Sequence, residues 1–455
     1  LAVIAYLISI AVFGAPLAAD AWEDHQLDVY LARLKATGEA VTENELPSDN
    51  VPVNRNASLG YKAAGLLIDP SRPAWDQWEK SRPGSFSLPL TSDERSTLRQ
   101  IVADNGPALT EIASARHKQI GWWGDRLTPP YIGTGPGQVD LDAERRTGQL
   151  LKLAAISAHA EGDDRAAIRH LSDLCRLANS AEHRPKIFAH MVTGALWSLA
   201  VTSATSIVRD IKLGGGGSAS REQLGELISL LLDERDANAG QRLAWQTERM
   251  IGVAEVRDAI AGRPTSMIPP QIGGSSLPRY LQGPLLLADA RFACLYIEGV
   301  EQASSEPSLP SAGRLWPTWM DQEMDHYYGW HPIAGVLTAG GLGCVELHFQ
   351  SAAERRLAAI AIGIRLFCVD HDGRRPAKLS ELSPKYLPVE PADPMSGGAM
   401  IYQSGGSDPK VYSVGRNRVD NGGAEADPNK PWPRDRVHDD IVIHLTRRPR
   451  PVAPE

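Results

Sequence analysis

Apolar residues recur every three to four positions along most of this chain, the spacing that lines up one face of a helix. Leu27, Tyr30, Leu31 and Leu34 predict a helix over 21–36, and residues 37–67 mix turn residues with short helical pieces. Thr91 and Glu94 form a capping box that opens a helix burying Leu98, Ile101 and Val102 and stopping at Asn105-Gly106-Pro107. A second short helix follows through Leu109, Ile112 and Ala113, and then a Pro/Gly-rich loop over 124–139. The clearest periodicity lies at 142–212. One helix ends near Ala160, the turn Glu161-Gly162-Asp163-Asp164 follows, and the next helix turns Ile168, Leu171, Leu174, Cys175 and Ala178 inward. A third runs from about Lys186 to Ile211. A glycine run at 214–217 links it to a long helix over about 221–260, with Leu224, Leu227, Ile228 and Leu231 inward. Residues 261–284 read as loop, 285–303 as helix and 305–345 as irregular chain carrying Trp316, Trp319 and Trp330.

From about 352 the pattern changes. A helix stacks Leu357, Ile360, Ile364 and Phe367, and short strand candidates follow at 400–402, 410–414 and 441–443. The fold class is therefore mainly α, built of helical hairpins, with a small α+β C-terminal domain. The chain divides into four regions: an apolar segment at 1–20, a mainly helical region at 21–345, an α+β head at 350–446 and a basic, Pro-rich tail at 447–455.

Residues 1–19 contain no charge, and as a helix they nearly cross a hydrocarbon core of ~30 Å. Asp20, Glu23, Asp24 and Asp28 follow at once, a flank suited to the translocated side. An uncleaved anchor places the chain at the inner membrane with its bulk on the periplasmic side. A cleaved signal peptide, with Ala18, Ala19 and Ala21 near the cleavage point, exports it likewise. A helix buried in a soluble core is the third reading. A formal charge of −8 and a pI of about 5.9 make nucleic acid a poor match, since phosphate binding calls for a basic stripe.

Candidate chemistry is sparse. Cys175, Cys294, Cys344 and Cys368 form no CxxC pair, and their three pairings cannot be separated by sequence. Asp321, Glu323, Asp325, His326 and His331 gather potential metal ligands, yet Glu323-x-x-His326 finds no partner motif for a di-iron site. Asp370-His371-Asp372 closes a helix, where polar residues are expected. No nucleophile elbow, phosphate loop or HExxH motif is present. The Asn56-Ala57-Ser58 sequon reads as coincidence.

Two stretches carry resemblances. Gly162, Ala167 and Leu171 resemble half of a tetratricopeptide repeat, but a single copy makes a plain hairpin. The order Gly373…Pro376…Leu379…Leu382, Tyr386-Leu387-Pro388, Asp393-Pro394, an aromatic strand and a Gly/Asp loop resembles the head of the type II secretion major pseudopilins. The resemblance covers roughly the last 95 residues and implies calcium at Asp420, Asn421, Asp439 and Asp440. The run 424–438 is longer and richer in Pro than the family loop. A filament subunit's methylation signature is missing, Ala5 standing where that family has Glu. With 38–61 and 158–171, the whole chain also resembles uncharacterised membrane-anchored proteins of planctomycetes. The expectation is a non-catalytic scaffold or interaction protein of the cell envelope, bound to the membrane by its N-terminal helix and to an envelope protein. A metal-dependent hydrolase using 321–331 and an accessory of a secretion or pilus-like system are the alternatives.

Overall fold

Helices begin where the chain offers acceptors for amides that have no partner one turn back. The computed structural model describes residues 14–46, 51–81, 88–118, 120–124, 136–214, 217–266, 268, 279–318, 332–337, 341–425 and 440–446. The helices are α1 Ala15–Ala36, α2 Ser58–Leu67, α3 Pro73–Ser81, α4 Ser92–Asp104, α5 Gly106–Ala115, α6 Pro136–Ala160 and α7 Asp164–Ala181. They continue as α8 Ile187–Val208, α9 Arg221–Leu232, α10 Arg235–Ile260, α11 Arg279–Ser304, α12 Leu309–Leu315, α13 Pro332–Leu337 and α14 Gly341–Asp370. The protein is mainly helical with a small antiparallel sheet, β1 Ile401–Gln403, β2 Lys410–Ser413 and β3 Ile441–His444, in the order β1-β2-β3. Val411 pairs with Tyr402 on one side and Ile443 on the other.

The capping box at α4 is formed as the sequence implies: Thr91 Oγ1 accepts from Glu94 N at 3.3 Å, and Glu94 accepts from Thr91 N at 2.8 Å. Asp163 closes the α6–α7 turn by accepting from Ala166 N at 2.9 Å. The helix α8 has no side-chain cap of its own. Glu248, from α10, accepts its first amide, Ile187 N, at 3.2 Å.

Several expected boundaries move. The helix expected over 221–260 is two. Asp233 is extended at its φ of −80° and ψ of 99°, and its carboxylate accepts from Arg235 N at 3.2 Å, starting α10 afresh. Arg355 takes the carbonyls that end α9, donating to Leu231 O at 3.1 Å and also to Asp233 O. The irregular stretch expected at 305–345 holds α12, α13 and the start of α14, and α12 is capped by Ser308. The loop at 261–284 ends early, because α11 begins at Arg279 with Pro284 inside it, and α6 takes up the loop's residues 136–139.

Two arrangements tie the helices into layers. In the first, α1 and α11 run parallel: Glu23 pairs with Arg291 at 2.9 Å, Tyr30 OH donates to Cys294 O at 3.0 Å, and Arg33 pairs with Glu298 at 2.6 Å. The helix α10 runs antiparallel to both, with Arg257 on Asp28 and Arg249 on Glu39, each at 2.6 Å. In the second, α14 is buried on nearly every side from Ala352 to Phe367. Such a helix has no solvent face to offer and must sit between two layers. On one side lie α8 and α9; on the other lie β2 and β3.

One helix among the described residues, α8, is long and apolar enough to cross a membrane, with a mean hydropathy of 1.5. Half of that stretch is buried within the fold, against α6, α7, α10 and α14. The rest is partly or fully exposed, with Phe188 and Met191 turned outward. Residues 1–13 of the apolar N-terminal segment lie outside the described residues; its last residues open α1, where Pro16 stands in the first turn.

Candidate functional site

The C-terminal loop is built by its own backbone. Asp440, just ahead of β3, accepts from Gly423 N at 2.7 Å and Asn421 N at 3.1 Å. Asp420 accepts from Gly422 N at 2.8 Å and from Tyr412 OH at 3.0 Å, while Asn421 accepts from Asn417 Nδ2 at 2.8 Å. Three of the four residues expected to hold calcium are thus brought to one turn, and Asp439 lies outside the described residues. Burial pushes the Asp440 carboxyl up, and the neighbouring charge of Asp420 adds to the shift. Oxygen donors of this kind suit a hard cation, whose charge would relieve that repulsion. Among the described residues, no group of three or more His, Cys, Asp or Glu side chains is placed to hold a metal.

The other candidates that fall on described residues serve the fold. The residues 321–331, with Trp319 and Trp330, lie outside the described residues; Trp316 packs edge-on against Tyr296. Asp370 pairs with Arg221 and with Lys385 at 2.8 Å and accepts from Tyr386 OH at 2.7 Å. His371 stacks on Phe367, 3.9 Å between ring centres. Both side chains are spent on holding the end of α14. Asn56 is buried and clasps the 120–124 segment: its Nδ2 donates to Trp122 O at 2.9 Å, and its Oδ1 accepts from Ser58 N and Trp122 N, each at 3.1 Å. A glycan has no access there. The four cysteines are free thiols, Cys175 and Cys294 fully buried.

Sequence reasoning misses the most elaborate polar cluster of the described residues, because its members come from four separate elements. A small recess of about 30 Å³, partly open to solvent, lies between α8, α10 and α14 and is lined by Glu182, His190, Met191, His348 and Arg355 among others. Glu182 Oε1 accepts from Trp197 Nε1 at 2.9 Å, and its other oxygen lies 3.0 Å from His190 Nδ1. Burial pushes this carboxyl up, but His190, Arg355 and the Trp197 bond outweigh it and hold it below the usual range. His348 stacks near His190, 6.4 Å between ring centres; burial, and then the charge of His190, push it down to about 3, so it is neutral at pH 7. Arg355 lies 3.8 Å over the Trp197 ring. Cys344, at the edge, is pushed up by burial and stays a thiol rather than a nucleophile. The bonded partners are framework groups: a helix end, a carbonyl row and an indole. The cluster locks α7, α8, α9 and α14 together.

Comparison with protein families, curated proteins and solved structures finds no match to this chain.

Proposed function

We propose that this chain is a membrane-tethered, extracytoplasmic scaffold or interaction protein of the cell envelope, with no catalytic role. The observation that carries the reading is α14. A pseudopilin-like subunit would need its helix free to pack with other copies in a filament. Here the helix is enclosed by the chain's own α8 and α9 on one side and by the sheet on the other. The sheet is therefore a head fixed rigidly to a helical body, suited to presenting a surface rather than to polymerising. The polar clusters support the same reading, since their charges are spent on helix ends and ion pairs. The likeness of the head to pseudopilins extends to calcium at Asp420, Asn421, Asp439 and Asp440.

The tether is the apolar segment before α1. Protease added to intact cells and to cells with a permeabilised outer envelope tests the topology. Digestion only after outer permeabilisation, with the inner membrane still sealed, is the expected result. Protection until the inner membrane is lysed would place the body in the cytoplasm and overturn the proposal.

A further inference from the structure

The parallel course of α1 and α11, with α10 antiparallel, brings two helix beginnings and one helix end to the same edge of the body. Four large apolar side chains are exposed there: Leu17 at 62%, Trp22 at 53%, Ile260 at 44% and Leu285 at 42%. Their level is fixed by the contacts between the helices. Gly283 lies against Asp20, Arg291 against Glu23, and Arg257 against Asp28. Just behind this edge three ion pairs form, Asp28 with Arg257, Glu23 with Arg291, and Asp258 with Arg263 at 2.5 Å, while Asp20 and Asp24 stand beside each other at the edge itself. Arg291 also sits 5.8 Å over the Trp22 ring, leaving the indole outward and partly exposed.

We propose that this edge is seated in the interfacial layer of the bilayer, with Trp22 as its aromatic anchor. The inference rests on the proposed membrane tether and says how the body meets the membrane. Continuity of the chain identifies the occupant: the uncharged run 1–19 leads into α1, which continues without a break to Ala36. At 1.5 Å per residue, Leu27, the first fully buried residue of α1, lies only about 12 Å beyond Ala19. No stalk fits in that distance, so the helix that leaves the membrane is already part of the body. Trp is favoured at the level of lipid headgroups, where its ring is amphipathic. Exposed Leu and Ile beside it gain by leaving water, and the paired charges behind them remain hydrated.

The test uses the full chain reconstituted in phosphatidylcholine vesicles whose acyl chains are brominated near the headgroup. The chain should sediment with the vesicles, and Trp22→Phe should lose at least half of the lipid-dependent tryptophan quenching. Phe keeps the ring beside Arg291, so the fold is retained. Adding Leu285→Trp to that variant should restore quenching from a second point of the same edge. If the chain sediments but Trp22→Phe is quenched like the wild type, the seating is wrong and the tether stands. If the chain does not sediment with the vesicles, both are wrong.

Discussion

At the residue scale, the carboxylates divide by what surrounds them. Glu248 is pushed up, first by burial, even though it accepts the Ile187 amide and feels Lys186. A carboxyl whose folded pKa is raised adds stability below its unfolded value, near 4.5, and loses it as pH rises through the folded value. Glu248→Gln keeps a carbonyl for Ile187 N and removes the charge. It should melt higher than the wild type at pH 7.5 and alike at pH 4; an unchanged gap across that range would contradict the assignment. Asp440 is raised for a related reason: burial outweighs the amides of Gly423 and Asn421, and the charge of Asp420 adds to the rise. Millimolar calcium should raise the melting temperature of the full chain, and Asp420→Ala should lose the effect, since an ion bound only by the folded state stabilises it. Identical melting curves with calcium and with a chelator would contradict a calcium site at this turn. Asp420, Asn421 and Asp440 were reached only through the resemblance to pseudopilins, which orders them along the chain although they lie up to twenty residues apart. Glu182, His190 and His348 were not, because no spacing along the chain reports a cluster assembled from distant helices.

At the scale of elements, helix interiors and capping boxes could be read directly. Thr91 with Glu94, and Asp163 after Gly162, stand where local rules place them. The break between α9 and α10 could not. The run Leu230-Leu231-Leu232-Asp233-Glu234-Arg235 continues a helical pattern, and the break is fixed by Arg355, more than a hundred residues later. The same holds for Gly240 in α10. By intrinsic propensity, Ala in place of a mid-helix Gly stabilises by about 1 kcal/mol. A Cβ at Gly240, however, would lie 2.0 Å from the Glu182 carbonyl oxygen, a backbone atom at the end of α7. The close approach wins over propensity. Gly240→Ala should destabilise by about 2 kcal/mol or more in urea unfolding, as overpacked sites do. A stabilised variant would mean that α7 and α10 are not packed this tightly.

At the scale of the whole molecule, the mainly helical architecture was legible from period, and the three strands from short runs of β-branched and aromatic residues. That the C-terminal helix belongs to both layers was not. Its strip of Leu357, Ile360, Ile364 and Phe367 reads as one buried face, yet Ala358, Ala359, Ala361 and Ile362 are buried as well. Small residues on the second face let another layer approach, and their alanines carry little periodic signal. This shared helix makes head and body one unit, and α1 joins that unit to the apolar segment with no intervening linker. The tether is therefore the decisive point. Cell fractionation of the full chain beside a form lacking residues 1–14, with α1 left intact, tests it most directly. The full chain is predicted to stay with the inner membrane after carbonate extraction, and the shortened form to be soluble and folded. A full chain recovered in the soluble cytoplasmic fraction would contradict a membrane-tethered protein.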